Sequence, residues 1–334
     1  LEVLASPDCK RLANYRSQVR VFTQLVCQLI KEGETQVQVF ALRFGVQALK
    51  HLTEKDEFPH EMFKEMVHAT LSATKWDVQL ADCLVLELCV PFRDLRTHLA
   101  RFLDTGLEAH NKQNVESVTL SGKKRKRSGT KLSVEGEELG LRTRDLLLRF
   151  PDVNDWMECH SCFVPESEIN LDQGSAIKKY RAAFVSCWQR FLQLPMDTDV
   201  TMSVLQYMPS NVLPHMGNPL ACANFYLIAF DRGSLAVSVL ALSGLFYLLT
   251  KHNLGDTEKV GQHANQYYHK LYDLLCPEVF ALRHRVRFLR LLHLSLKSTM
   301  LPSSYVAAFV KKSARVASLV PSPPAALWLL VNMQ

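Results

Sequence analysis

The residues best suited to chemistry in this chain are Cys159-His160-Ser161-Cys162. Two thiolates at that spacing suit one half of a tetrahedral zinc site, and His160 offers a third donor. No second pair at matching spacing occurs, so sequence neighbours cannot complete a four-ligand shell. A redox dithiol would need a strand-to-helix context, and this stretch reads as loop. The pair therefore reads as a bystander. No Gly-rich phosphate loop, no His-x-x-x-His spacing around a Glu and no nucleophile-elbow motif is present. Nothing in the residues points to catalysis. The expectation is a non-enzyme with no cofactor and no metal site.

Binding chemistry is better supported. Lys123, Lys124, Arg125, Lys126 and Arg127 place five positive charges in a row. Such a run suits a nuclear import receptor or an RNA backbone. From Glu278 to Arg315 there are eight Lys or Arg against one Glu, a local charge of +7. Removing both islands from the net charge of +6 leaves a remainder of −6. The chain is thus mildly acidic with two basic islands, which points to acidic partners at two places. The helix expected from Glu278 puts Leu282, Val286, Leu289, His293 and Leu296 on one face. Arg283, Arg287 and Arg290 form a basic stripe beside it, suited to phosphate or to an acidic protein. Tyr305 and Phe309 lie one turn apart, as candidate anchors or, for Phe309 at least equally, as core filling between neighbouring helices, with Lys311, Lys312 and Arg315 following.

The elements that hold these residues are helical throughout. Val19, Phe22, Val26 and Leu29 step by three and four within 12–30, and Val37, Phe40, Ala41, Phe44 and Ala48 continue past Gly33. Pro59 and Pro91 open later segments. Over 111–140 the apolar rhythm collapses and a linker is expected. Rhythm returns at Ser175, with Ile177, Tyr180, Phe184, Trp188 and Phe191 on one face. Further helices are expected near 199–213, 219–231, 234–251, 265–275, 278–297, 302–319 and 324–331, and no strand alternation is visible. The fold class is all-α, an α-solenoid of stacked helix pairs of the HEAT or armadillo type. Three regions are expected: 1–110 helical, 111–174 linker and irregular, 175–334 a second helical domain.

Ser234 to Thr250 contains no charge, at the lower edge of membrane-spanning length. A helix buried on all sides is the preferred reading, with a nuclear-envelope span as the alternative. The nine cysteines are odd in number and mostly sit inside apolar helical patterns, as reduced thiols do in the cytosol or nucleus. No signal peptide opens the chain. It begins at Leu1 rather than Met, so the natural start is expected to be missing.

Several segments in order carry a resemblance. They are Gly233 to Phe246 (GSLAVSVLALSGLF), Lys251-His-Asn-Leu254, Tyr268 to Leu275 (YHKLYDLL), Arg287-Phe-Leu-Arg290, and Leu301 through Tyr305, Phe309, Lys311 and Lys312 to Arg315. Together they resemble the CCAAT-binding-factor domain family. The likeness extends upstream through Lys179 to Phe184, Trp188 and Phe191, covering 175–322. A fainter likeness over 1–100 includes Phe58 to Lys64. The resemblance implies a non-enzymatic helical scaffold of the nucleolus and nucleus, acting in small ribosomal subunit assembly within the small-subunit processome. It implies a nucleolar protein 14-like partner and a place beside pre-ribosomal RNA, not CCAAT DNA binding. The stretch from Gly255 to Gln266 departs from the family as an insertion. The family domain continues into further helices beyond the Pro-rich turn, so a truncated product or fragment is expected. The alternative function is a helical adaptor outside ribosome assembly.

Overall fold

The computed structural model describes residues 7–52, 58–120, 128–151, 153–159, 161–164, 173–252, 260–297, 301–320 and 322–331. Every regular element among them is a helix, as expected for an all-α stack of helix pairs. The chain divides into two compact units, Leu1–Met196 and Asp197–Gln334.

The first unit contains α1 (Pro7–Glu32), α2 (Thr35–Leu52), α3 (His60–Leu71), α4 (Val78–Asp82), α5 (Arg93–Leu120), α6 (Ser128–Leu147), α7 (Val153–Glu158) and α8 (Gln173–Phe191). The chain leaves α4 through a π-helical segment, Cys83–Cys89, just before Pro91. The α1, α2 and α3 helices pack on one another through Ile30, Leu42, Leu49, Phe63 and Met66. Gln38 is fully buried among them. Its Nε2 donates to the carbonyls of Ile30 (3.0 Å) and Lys75 (3.1 Å), which ties α2 to two other segments, while its buried Oε1 has no partner among the described residues.

The α5–α8 pair is the other half of this unit. Leu99, Leu103 and Leu107 and the ring face Tyr180, Phe184, Trp188 and Phe191 are all fully buried. Arg190 bridges Asp104 (2.6 Å) and Glu108 (3.0 Å) at the edge. The sequence assigns α8 to the third region, starting at 175; the unit boundary lies instead between Met196 and Asp197. The reason is the aromatic face of α8, which is satisfied by α5 rather than by helices after it. The segment expected as linker also differs. The α5 helix runs on to Leu120 and α6 begins at Ser128. Leu, Glu, Ala, Lys and Gln favour helix even where no apolar stripe advertises it. Leu146 and Leu147 then anchor the far end of α6 in the core.

One face of the first unit is wet and apolar. Phe40 is 65% exposed, and Leu25, Leu29, Val37 and Phe44 are exposed beside it on the outer side of α1 and α2. Phe44 stacks on Phe40 and meets Phe22 edge-on at 5.7 Å. A groove of about 440 Å³ between the two helices is lined by Tyr15, Val19, Phe22, Phe44 and Ala48 among others.

The second unit contains α9 (Thr198–Asn211), α10 (Ala223–Arg232), α11 (Leu235–His252), α12 (Val260–Leu274), α13 (Arg285–Leu296), α14 (Ser303–Ala317) and α15 (Pro323–Val331). Asp197 caps α9, accepting from the Thr198 N–H. The uncharged stretch Ser234–Thr250 falls on α11, which packs against α9, α10, α12 and α13. Val237, Val239, Leu240, Leu242, Leu245 and Leu248 are buried there. It is apolar all round because helices surround it. Among the described residues no helix is long and apolar enough to cross a membrane.

Candidate partner interface

The C-terminal basic island rests on a ladder of tyrosines from α12. The Tyr267 hydroxyl lies 2.7 Å from Ser295 Oγ, and the Tyr268 hydroxyl donates to the Ser295 carbonyl (3.3 Å), which fixes α13 on α12. Burial, more than any neighbour, raises the Tyr267 phenol well above its ordinary pKa, so it stays neutral. On the α14 side, Tyr272 meets Phe309 edge-on at 5.4 Å, and Tyr268 meets Tyr305 at 6.0 Å. Lys312 Nζ sits 4.0 Å above the Tyr272 ring and donates to its carbonyl.

This geometry sorts the expected contact residues. Phe309 is not an anchor for a partner. It is buried, because Tyr272 already covers its ring. Tyr305 is half-buried against Tyr268 and His269. Lys312 is half-buried and engaged within the fold, whereas Lys311 and Arg315 are exposed. Arg283 and Arg290 are exposed and Arg287 is half-buried.

The expected buried face of the helix from Glu278 is corrected. Residues Pro277–Ala281 form a 3-10 turn, and α13 starts only at Arg285, so the helical phase is reset. Phe288, Leu291, Leu292 and Ser295 face inward, and Val286 and His293 face solvent. Both sets step by three and four through a segment crowded with leucines, so periodicity alone could not choose. Arg285, exposed in the first turn of α13, is a further candidate contact that the sequence reading did not single out. Arg283 stands before the helix rather than on a stripe along it. Partial burial, then Arg287 and Arg283, hold the His284 imidazole below its usual pKa, as a locally positive field requires.

The cysteine pair sits in the first unit. Cys159 Sγ lies 3.4 Å from the Pro91 carbonyl, and Cys162 is half-buried nearby in sequence. The backbone around them is pinned to the start of α5. Asp94 accepts from the N–H groups of Phe163 (2.8 Å) and Val164 (3.0 Å), and Arg93 Nε donates to the Cys159 carbonyl (2.8 Å). His160 lies outside the described residues. Among those described, no group of three or more His, Cys, Asp or Glu could hold a metal ion. Exchanging both Cys159 and Cys162 for Ser is therefore expected to leave thermal melting unchanged. Asp94→Ala, which strands two N–H groups, should cost about 2 kcal/mol. Loss of stoichiometric zinc on the serine exchange, with a lower melting temperature, would contradict this assignment.

Part of the second unit matches a known family model. Residues 238–334 match the CBF/Mak21 family. The CBF/Mak21 segment thus takes in nearly all of α11 and everything after it, including every C-terminal candidate contact. Related proteins agree. The Arabidopsis thaliana protein named NUCLEOLAR COMPLEX ASSOCIATED 4 is 39% identical over 151 residues, 45% of this chain and 25% of that relative. Nucleolar complex protein 4 homolog B of Xenopus laevis is 38% identical over 157 residues, 47% of this chain and 28% of the relative. The Mus musculus nucleolar complex protein 4 homolog is also 38% identical over 157 residues, with the same shares. The matched stretch thus covers about a quarter of the length of these relatives. The run Lys123–Arg127 lies outside both the described residues and the CBF/Mak21 segment.

Proposed function

We propose that this chain acts in the nucleolus as a non-enzymatic helical scaffold in ribosome biogenesis. More narrowly, it serves small-subunit assembly and pre-rRNA processing, as one half of a heterodimer with a nucleolar protein 14-like partner inside the small-subunit processome. The observation that carries the reading is the likeness at 38–39% identity to relatives named for the nucleolar complex, over nearly half the chain. Two features of this chain support it. Its buried faces are closed by helix on helix, and the matched segment from Val279 onward holds eight Lys or Arg and no Asp or Glu, a charge excess that an acidic partner or pre-ribosomal RNA would meet.

The test is a tagged chain in cells. It should concentrate in nucleoli, and its depletion should cause small-subunit rRNA precursors to accumulate. Purification of the tagged chain should recover the partner. A diffuse signal with normal precursor levels would overturn the reading and leave an adaptor role elsewhere. Exchange of Lys123–Arg127 for Ala removes five charges and should lower nuclear accumulation several-fold without changing melting. Unchanged accumulation would remove the run as the import signal.

A further inference from the structure

The solvent side of α13 combines two surfaces that are usually kept apart. Val286 is 71% exposed, and Leu294, two turns on, is 42% exposed. Arg290 and His293 stand between them, both exposed. Helical geometry puts Val286, Arg290 and His293 in one line, with Leu294 beside it. Arg283 and Arg285 are exposed at the leading end.

Apart from Glu278, five residues before Arg283, these cations have no counter-charge nearby in sequence. From Val279 to Gln334 the chain holds eight Lys or Arg and no Asp or Glu. Among the described residues, Arg283, Arg285, Arg287 and Arg290 take part in no ion pair. Nor do they serve the helix. Arg285 and Arg287 lie in its first turn, where the dipole favours anions and disfavours cations by about 0.3–1 kcal/mol each. A sequence selected for helix stability alone would place acids there. The arginines and the wet apolar residues each cost stability in the free chain, and one occupant relieves both.

That occupant must be acidic and must also present apolar side chains. Single-stranded RNA would offer phosphates, but its bases seek successive aromatic platforms, and with Phe288 buried α13 exposes a single ring, the His293 imidazole. An amphipathic helix with carboxylates flanking an apolar stripe satisfies both requirements. The twelve residues of α13 span about 18 Å, which suits a partner helix of three to four turns.

We infer that the exposed face of α13 docks an acidic amphipathic helix of a partner protein. The helix packs apolar side chains on Val286 and Leu294, and its carboxylates pair with Arg283, Arg285 and Arg290. This deepens the scaffold reading and rests on it only for the existence of a partner.

The test uses the purified full chain and a labelled helical peptide of about three heptads, with Leu on one stripe and Glu flanking it. A scrambled peptide of the same composition and an oligouridine RNA of similar length are the comparison probes. The amphipathic peptide should bind saturably, at least about tenfold tighter than the scramble. Exchanging Arg283, Arg285 and Arg290 together for Glu should weaken it at least about tenfold, as should Val286→Ser with Leu294→Ser. All five positions are exposed, and unchanged ellipticity would verify that both variants are folded. Equal binding of the scramble, full affinity in the serine variant, or preference for RNA over the peptide would each overturn the inference. Because the assay needs only purified components, it can fail while nucleolar location and precursor processing stand.

Discussion

Gly244→Ala is expected to destabilise the C-terminal unit by about 2 kcal/mol, although alanine is the better helix former. Gly244 lies on α11 where α10 crosses it, and a Cβ there would overlap the ring of Tyr226. That ring is fully buried, and its hydroxyl has no hydrogen-bond partner among the described residues. Intrinsic propensity favours Ala over Gly by about 1 kcal/mol, so overpacking must exceed that to win. With ring atoms on a packed helix crossing it does, because neither helix can retreat without opening its other contacts. Denaturant unfolding followed by ellipticity measures the loss. Combining Gly244→Ala with Tyr226→Leu makes room for the new methyl. The pair should be less destabilising than the sum of the two single changes by at least about 1 kcal/mol. Strict additivity would show that the contact is not the cause.

Acid should weaken the N-terminal unit by a comparable amount. His98 on α5 is stacked on Phe58 at 4.4 Å and meets His60 edge-on at 4.6 Å. Its Nδ1 is buried with no partner among the described residues. Burial first, then His60 and Arg101, push its pKa from 6.5 down to about 3. The folded state therefore keeps His98 neutral where the unfolded chain would protonate it. This stability is intact above pH 6.5 and is lost progressively as the pH falls toward 3. At pH 5 the loss is about 2 kcal/mol. His68, lowered chiefly by burial, acts in the same direction. Unfolding free energy measured from pH 7.5 to pH 5 should fall accordingly, and His98→Phe should flatten most of that slope. An equal slope in the variant would assign the acid sensitivity elsewhere.

The helical class was legible because long amphipathic segments such as Leu12–Ile30 admit one reading, and Gly33 and Pro59 mark real breaks. The buried nature of Ser234–Thr250 was also legible, since the segment is apolar on every side and flanked by further helical segments. What failed did so for want of long-range information. Nothing local says that the ring face of α8 is claimed by α5, some eighty residues earlier, so the unit boundary was set too early. On α13 two apolar faces compete, and the 3-10 turn that decides between them depends on how Pro277 packs rather than on any period. The role of Phe309 was lost for the same reason: a ring one turn from Tyr305 could be an anchor until Tyr272 is seen against it. Gln38 was not singled out in sequence, and it links three segments only once Lys75 is brought near.

The wet phenylalanines of α1 and α2 bear on how the chain behaves as a colloid. Its net charge of +6 supplies only a modest mutual repulsion, and ions screen that beyond about 8–10 Å. Contact between exposed rings is short-ranged and is strengthened by excluded salts such as sulfate. Added salt therefore removes the force that keeps copies apart while sharpening the one that draws them together. Solubility should then follow Phe40 and Phe44 more than the charge count, and these molecules should disperse best at low ionic strength.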